Sequence, residues 1–305
     1  MRVVTGILML AGLLVAGASE AQVSENPVGL HLGIVRLDLY SVYESNIDHE
    51  VIPIEDFGLK AGGLVRLQSQ PRNALAWLEY RGLIQAYANT DAWDRISHRF
   101  RAGLGGEPVK DLDLGVFGEL NTRTANEDRR LVNQFTVSPS ATLSGPRGLR
   151  IRVYGAYRVR DFINVPDLDE RIRFAGVEGR TRLWESGRFE AGYRYEKAES
   201  QFPPESYTRH RIEGELEQYI GRWDRLRIAV QYRLREFPHD IVYLDEGEVS
   251  REDRRWIPGV RWTHRLIRGQ QIQLDYQYQT RTSNDLDKEY QAHRLTLAFR
   301  WPFFR

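Results

Sequence analysis

Asp224-Arg225-Leu226-Arg227-Ile228-Ala229-Val230-Gln231-Tyr232-Arg233-Leu234-Arg235 decides the fold class of this chain. Apolar side chains occupy every second position, and arginine or glutamine fills most of the places between them. Successive side chains of a strand point to opposite faces, so this order gives one apolar and one cationic face. A helix would scatter the same arginines around its circumference. Leu149-Arg150-Ile151-Arg152-Val153-Tyr154 and Gln271-Ile272-Gln273-Leu274-Asp275-Tyr276-Gln277-Tyr278 follow the same rule.

Outward from that segment, period two persists from Val28 to the end and helical periodicity is nearly absent. It predicts fourteen strands, near 28–43, 58–69, 73–88, 95–105, 110–123, 131–144, 148–161, 170–184, 187–197, 206–220, 223–237, 252–266, 270–282 and 289–301. Short and long connections alternate between them. The short ones carry turn chemistry: Ser69-Gln70-Pro71-Arg72, Gly145-Pro146-Arg147-Gly148, Glu185-Ser186-Gly187, Gly221-Arg222 and Arg268-Gly269. The long ones, 44–57, 89–94, 124–130, 161–169, 198–205, 238–251 and 283–288, are polar. No domain boundary interrupts the series.

Ahead of the strands, Met1-Arg2 supplies a positive start, Val3 to Ala16 an uncharged apolar run, and Ala16-Gly17-Ala18-Ser19-Glu20-Ala21 a small-residue stretch. Residues 1–21 therefore read as a secretory signal peptide cleaved after Ala21, with 22–305 as a single exported domain. The apolar run is shorter than the ~20 residues a spanning helix needs. The chain has no cysteine, which excludes disulfides, thiolate metal sites and cysteine nucleophiles.

An exported, cysteine-free, alternating chain with this loop asymmetry resembles the outer-membrane β-barrels of Gram-negative bacteria, in particular the fourteen-stranded monomeric porins. Leu295, Leu297, Phe299 and Trp301 alternate in the last strand, as the closing strand of such proteins does, although Arg305 stands where they end in an aromatic. The resemblance implies an all-β, antiparallel up-and-down barrel in the outer membrane. It also implies short periplasmic turns, longer extracellular loops, both termini on the periplasmic side, and insertion by the barrel-assembly machinery as a monomer. Low mean hydropathy fits a membrane barrel, because lipid-facing and lumen-facing residues average out. The alternative is a soluble periplasmic barrel or sandwich with its apolar face inward. Against it stand the loop asymmetry, the terminal strand, and aromatics near strand ends, among them Trp184, Trp223, Trp256 and Tyr195.

With lipid on the apolar face, the other face lines the lumen. The chain is nearly neutral, 43 basic residues against 42 acidic ones, so no overall basic excess points to nucleic acid. The predicted lumen, by contrast, collects 27 basic side chains against 12 acidic ones, an excess of 15. Pore-lining candidates are Arg99, Arg101, Arg150, Arg152, Arg158, Arg180, Arg211, Glu213, Glu215, Arg227, Arg233 and Arg261. All but four of the 43 cations are arginine, whose planar fork stays charged and grips carboxylates or phosphates. The compensating acid falls in the extracellular connections: Glu44, Asp48, Glu50, Glu55 and Asp56; Asp167, Asp169 and Glu170; Asp240, Asp245, Glu246, Glu248 and Glu252. Asp56, Asp245, Glu246 and Glu248 are the candidates for folding inward and narrowing the pore.

Catalytic readings are weaker. Outward His98, His210, His264 and His293 invite comparison with outer-membrane lipid hydrolases, but Ser97-His98 and Thr263-His264 place hydroxyl and imidazole on opposite strand faces. His239-Asp240 alone makes no catalytic site. Asp167, Asp169 and Glu170 match no complete metal loop. The expectation is a channel for small hydrophilic, preferentially anionic solutes, with no cofactor, metal or catalytic residue. The alternatives are a closed barrel serving adhesion, envelope assembly or polymer export, and, less favoured, a lipid-active or proteolytic barrel.

Overall fold

Alternation becomes pairing: in the computed structural model every predicted strand forms, and each hydrogen-bonds to its two neighbours. Described residues are 30–46, 53–69, 74–90, 94–125, 132–163, 165–244 and 247–304. The proposed signal peptide, Pro71, Asp245 and Glu246 lie outside them.

The strands are β1 (Leu30–Glu44), β2 (Asp56–Ser69), β3 (Ala74–Tyr87), β4 (Arg95–Val109), β5 (Leu112–Ala125), β6 (Val132–Ser144) and β7 (Arg150–Phe162). They continue as β8 (Glu170–Trp184), β9 (Gly187–Ser200), β10 (Tyr207–Ile220), β11 (Asp224–Leu244), β12 (Gly247–Arg265), β13 (Gln271–Ser283) and β14 (Tyr290–Phe304). All pairings are antiparallel between sequence neighbours, and β1 pairs with β14 to close the barrel. Closure removes the sheet edges whose unpaired N–H and C=O groups hydrocarbon cannot satisfy. Fourteen strands about 4.8 Å apart and tilted about 40° give a backbone diameter of roughly 28 Å, wide enough for long side chains from the whole wall.

Turn geometry explains the tight side. Gly148, Gly221 and Gly269 have positive φ (69°, 63° and 81°), which glycine adopts without a Cβ clash. Asp111, also at positive φ, turns β4 into β5 after only Lys110 and itself. That turn lies further along than predicted, because β4 continues through a bulge between Gly106 and Val109 that accommodates Pro108.

One connection differs in kind. The stretch 238–251 is not a long loop: β11 runs 21 residues and β12 runs 19, so the hairpin continues nearly to its tip. A register shift between Phe237 and Ile241 absorbs Pro238, which cannot donate to the ladder. Beyond it Ile241, Val242 and Tyr243 pair with Ser250, Val249 and Glu248. Proline and charge mimic a loop in the sequence, while a bulge lets the ladder resume.

Apolar side chains on alternate positions stand outward without a protein partner: Leu104 is 64% exposed, Val153 56%, Ile212 54% and Leu297 52%. On the other parity lie Asp38 and Glu196, at 1% and 0%. A soluble barrel would reverse this, so the apolar-outward parity is the one a bilayer requires.

Candidate functional site: an arginine- and aromatic-lined lumen

Contacts that skip a strand identify the concave face. Arg81 on β3 reaches past β2 to Asp38 on β1 at 3.8 Å, and Tyr87 reaches Glu44 on β1 at 3.4 Å. Phe174 on β8 lies between the guanidiniums of Arg158 on β7 and Arg194 on β9, each 5.1 Å from its centroid. The predicted lumen residues share this face. Arg99, Arg101, Arg152 and Arg158 line one cavity, and Glu213, Glu215, Arg227, Arg233 and Arg261 line another. Arg211 is hydrogen-bonded to Glu213. Arg150 faces Arg180 across one ladder, and Arg180 faces Glu190 across the next.

Pairing is uneven around the wall. On the β9–β14 side the cavity of about 410 Å³ mixes signs. Glu217 takes Arg188 and Arg225 at 3.2 Å and Arg227 at 3.3 Å, Arg227 holds Glu215 at 3.0 Å, and Arg261 holds Asp275 at 2.5 Å. Here the arginines stiffen the wall. On the β3–β5 side a cavity of about 370 Å³ is lined by Arg81, Leu83, Arg95, Ser97, Arg99, Asn121 and Arg123, with no carboxylate. Among the described residues Arg95 hydrogen-bonds the Gln85 amide oxygen, Arg81 stands 3.8 Å from Asp38 and Arg99 3.9 Å from Glu119, and Arg123 has no carboxylate within 4 Å. Positive charge is only partly cancelled here.

Between these two regions is a cavity of about 660 Å³ in which Trp77, Phe117, Tyr154 and Phe174 stand among Arg99, Arg101, Arg152, Arg158 and Arg194. Arg66 covers the Trp77 ring at 5.0 Å and Arg152 the Tyr154 ring at 5.2 Å. Sequence reasoning overlooked these aromatics because it counted only charge on the inner parity. The parity itself places them: Tyr154 falls in step with Arg152, and Phe174 in step with Glu170 and Glu178.

At the outer end of β8–β11 the lumen carries an apolar knot. Ile172, Ala198, Tyr207 and Phe237 are all buried, and Phe237 is 1% exposed. Arg235 lies 4.5 Å from the Tyr207 centroid and 5.5 Å from that of Phe237, while Arg251 stacks on Phe237 at 3.6 Å. Beneath it the buried Glu196 accepts from Arg209 at 2.5 Å and from the Tyr207 hydroxyl at 2.8 Å. Reading 238–251 as a loop hid this knot, because it leaves Arg251 outside any strand and gives it no register against Phe237.

Of the four acids expected to fold inward, Asp56 and Glu248 lie among the described residues. Asp56 is buried at the head of β2, where it accepts from the backbone amides of Phe57, Asn89 and Thr90, so it ties the first two extracellular connections together. Glu248 is exposed on the β11–β12 hairpin. Asp240 pairs with Arg251, Glu44 with Arg294 at 2.6 Å, and Glu170 with Arg160 at 2.9 Å. These last two carboxylates belong to the inner wall, as do Asp253, Arg188 and Arg251, which lowers the basic excess counted from the sequence by one.

The outward histidines pair with ring partners. His98, His210 and His293 bond the hydroxyls of Tyr80, Tyr193 and Tyr276 through Nδ1 at 2.8–2.9 Å, and His264 meets Asp224 at 2.9 Å. Ser97 lines the arginine cavity on the opposite face from His98. No group of three or more potential metal ligands occurs among the described residues.

No family model and no curated protein matches the chain. Solved structures do. The outer-membrane channel DcaP of Acinetobacter baumannii superposes with a TM-score of 0.54 at 10% identity, covering 92% of this chain and 99% of that one. OccK3 (OpdO) and OprD of Pseudomonas aeruginosa each give 0.44, at 12% and 9% identity, covering 89% of this chain and 96% and 95% of theirs. At such identities the likeness is one of architecture alone: in fold, the chain is a closed fourteen-stranded antiparallel barrel, similar in architecture to a Gram-negative outer-membrane channel.

Proposed function

We propose that the protein is an outer-membrane channel through which small hydrophilic solutes diffuse, with anions favoured. The observation that carries this reading is the cavity lined by Arg81, Arg95, Arg99 and Arg123, to whose lining no carboxylate contributes, with Asp38 and Glu119 no nearer than 3.8 Å to Arg81 and 3.9 Å to Arg99. Arginine side chains reaching about 7 Å from a wall of roughly 28 Å diameter leave a passage comparable to the ~10 Å Debye length at 0.1 M salt, so their field spans it. The chain would be exported through its first 21 residues, inserted by the barrel-assembly machinery and active as a monomer. That DcaP is an outer-membrane channel supports the first half of the proposal, and the arginine wall supports the second.

A second reading has one observation in its favour. The Phe237–Tyr207 knot narrows the outer mouth on one side, as a closed interaction barrel would require. Single-channel recording in planar bilayers decides between them. Steady conductance is expected, with a reversal potential of anion-selective sign under a potassium chloride gradient, moving toward zero in Arg95→Gln/Arg99→Gln/Arg123→Gln. Cation selectivity in the native protein refutes the anion preference, and absence of conductance favours the closed barrel.

A further inference from the structure

The outward face of β8 and β9 carries a charge pattern that barrel packing does not call for. Arg173 and Lys197 are direct register partners, with side chains 69% and 54% exposed. Like charges placed opposite each other on one sheet face repel, so such a pair is an expense to the fold unless an anion sits on it. Glu199 supplies part of that anion, 3.1 Å from Lys197 Nζ and 4.0 Å from Arg173 Nη2. Arg171, the register partner of Glu199, is exposed beside it. Three cations thus share one carboxylate. The flanking outward acids are Asp161 on β7, and Glu236 on β11, which accepts from the Thr208 hydroxyl. By contrast, the outward charge of β12 at the same end is balanced, with Arg254 bonded to Glu252 at 2.6 Å.

Height in the bilayer gives this cluster its meaning. Tyr195 and His210 lie one outward row below it, their rings 5.2 Å apart, with His210 bonded to Tyr193. The same tyrosine–histidine pair recurs at the fourth residue of β4 and of β14. Amphipathic rings repeated at one depth on three strands mark the membrane–water interface. One further row, two residues along a tilted strand, rises about 5 Å, to where lipid phosphates lie.

We propose that Arg171, Arg173 and Lys197 form a lipid-facing site for the phosphomonoester headgroup of an outer-leaflet lipid. The arginine forks would each take two phosphate oxygens and Lys197 would act as a point charge, at the edge of a low-dielectric phase where screening is weak. The site rests on the outer-membrane reading and is independent of solute passage.

The test uses the purified folded protein in neutral detergent, titrated with bis-phosphorylated lipid A or its dephosphorylated form, with bound lipid counted by native mass spectrometry. Native protein should retain the phosphorylated lipid and discriminate against the dephosphorylated one. Arg173→Gln/Lys197→Gln should weaken retention of the phosphorylated form about tenfold, as expected for two partly exposed ion pairs, whereas Arg254→Gln should not. Both substitutions lie on exposed positions, and heat-modifiable mobility verifies folding. Equal retention of the two lipids by native protein, or by native protein and the double variant, overturns the site. Loss of conductance with lipid discrimination intact would overturn the channel reading alone.

Discussion

Placing an arginine at Ile228 should expel that part of β11 from the bilayer, whereas removing the arginine beside it should matter little. Ile228 is 49% exposed on the outer face, between Val260 and Leu216 in register. Trp262, paired with Leu226, lies two residues toward the tight-turn end, and the Tyr232–Trp256 pair, with ring centroids 4.7 Å apart and planes tilted by 46°, lies four residues the other way. At about 3.3 Å per residue and 40° tilt these aromatics stand roughly 5 and 10 Å from Ile228, which puts it inside the apolar band. A cation near the midplane of such a band costs about 2–4 kcal/mol, and slightly off centre about 2–3 kcal/mol, or roughly 30- to 150-fold in the folded-to-unfolded ratio. Arg227 instead faces the lumen, 3.0 Å from Glu215 and 3.3 Å from Glu217. Because Arg188 and Arg225 also hold Glu217, Arg227→Gln should cost about 1 kcal/mol or less. Equilibrium unfolding in urea from lipid vesicles measures both. Equal destabilisation by the two variants, or a larger effect of Arg227→Gln, would refute the inward–outward assignment.

Topology is checked by epitope insertion: a tag at Asp167 should be labelled on intact cells, whereas one at Gly148 should require permeabilised cells, and the opposite result inverts the barrel. Phe237→Ala removes the ring gripped by Arg235 and Arg251 and should raise single-channel conductance while leaving the folded fraction unchanged. Unaltered conductance would show that the knot does not limit flow.

Strand number, parity and hairpin sidedness were legible because a period of two constrains every residue of a strand. The register of Arg225, Arg227, Arg233 and Arg235 alone fixes which face of β11 is cationic. What stayed hidden depends on partners distant in sequence. Nothing around Phe237-Pro238-His239 says that a bulge will carry the strand past a proline, or that Arg251 will return to cover Phe237. Arg123 and Arg188 look alike in sequence, yet Arg188 finds Glu217 while Arg123 finds no carboxylate among the described residues, and that difference comes from which strands curvature brings together. The acids of the first loop likewise read as free to fold inward until Asp56 is seen holding the amides of Asn89 and Thr90.

The β1–β14 seam has a consequence for the order of assembly. Arg294 grips Glu44 with two nitrogens across a separation of 250 residues, and Arg300 stands 3.9 Å from Asp38 on the same pair of strands. Bringing such distant segments together from an open chain costs about 5 kcal/mol in loop entropy, against about 2 kcal/mol for a ten-residue hairpin. Once the thirteen neighbouring ladders have zipped, the seam's two edges lie close together and most of that entropy has already been spent locally. The ring should therefore close last, and the guanidinium clamps at its join act as a register check. A slip of one residue would turn Arg294 and Arg300 toward lipid, so a misaligned barrel stays open until it is corrected.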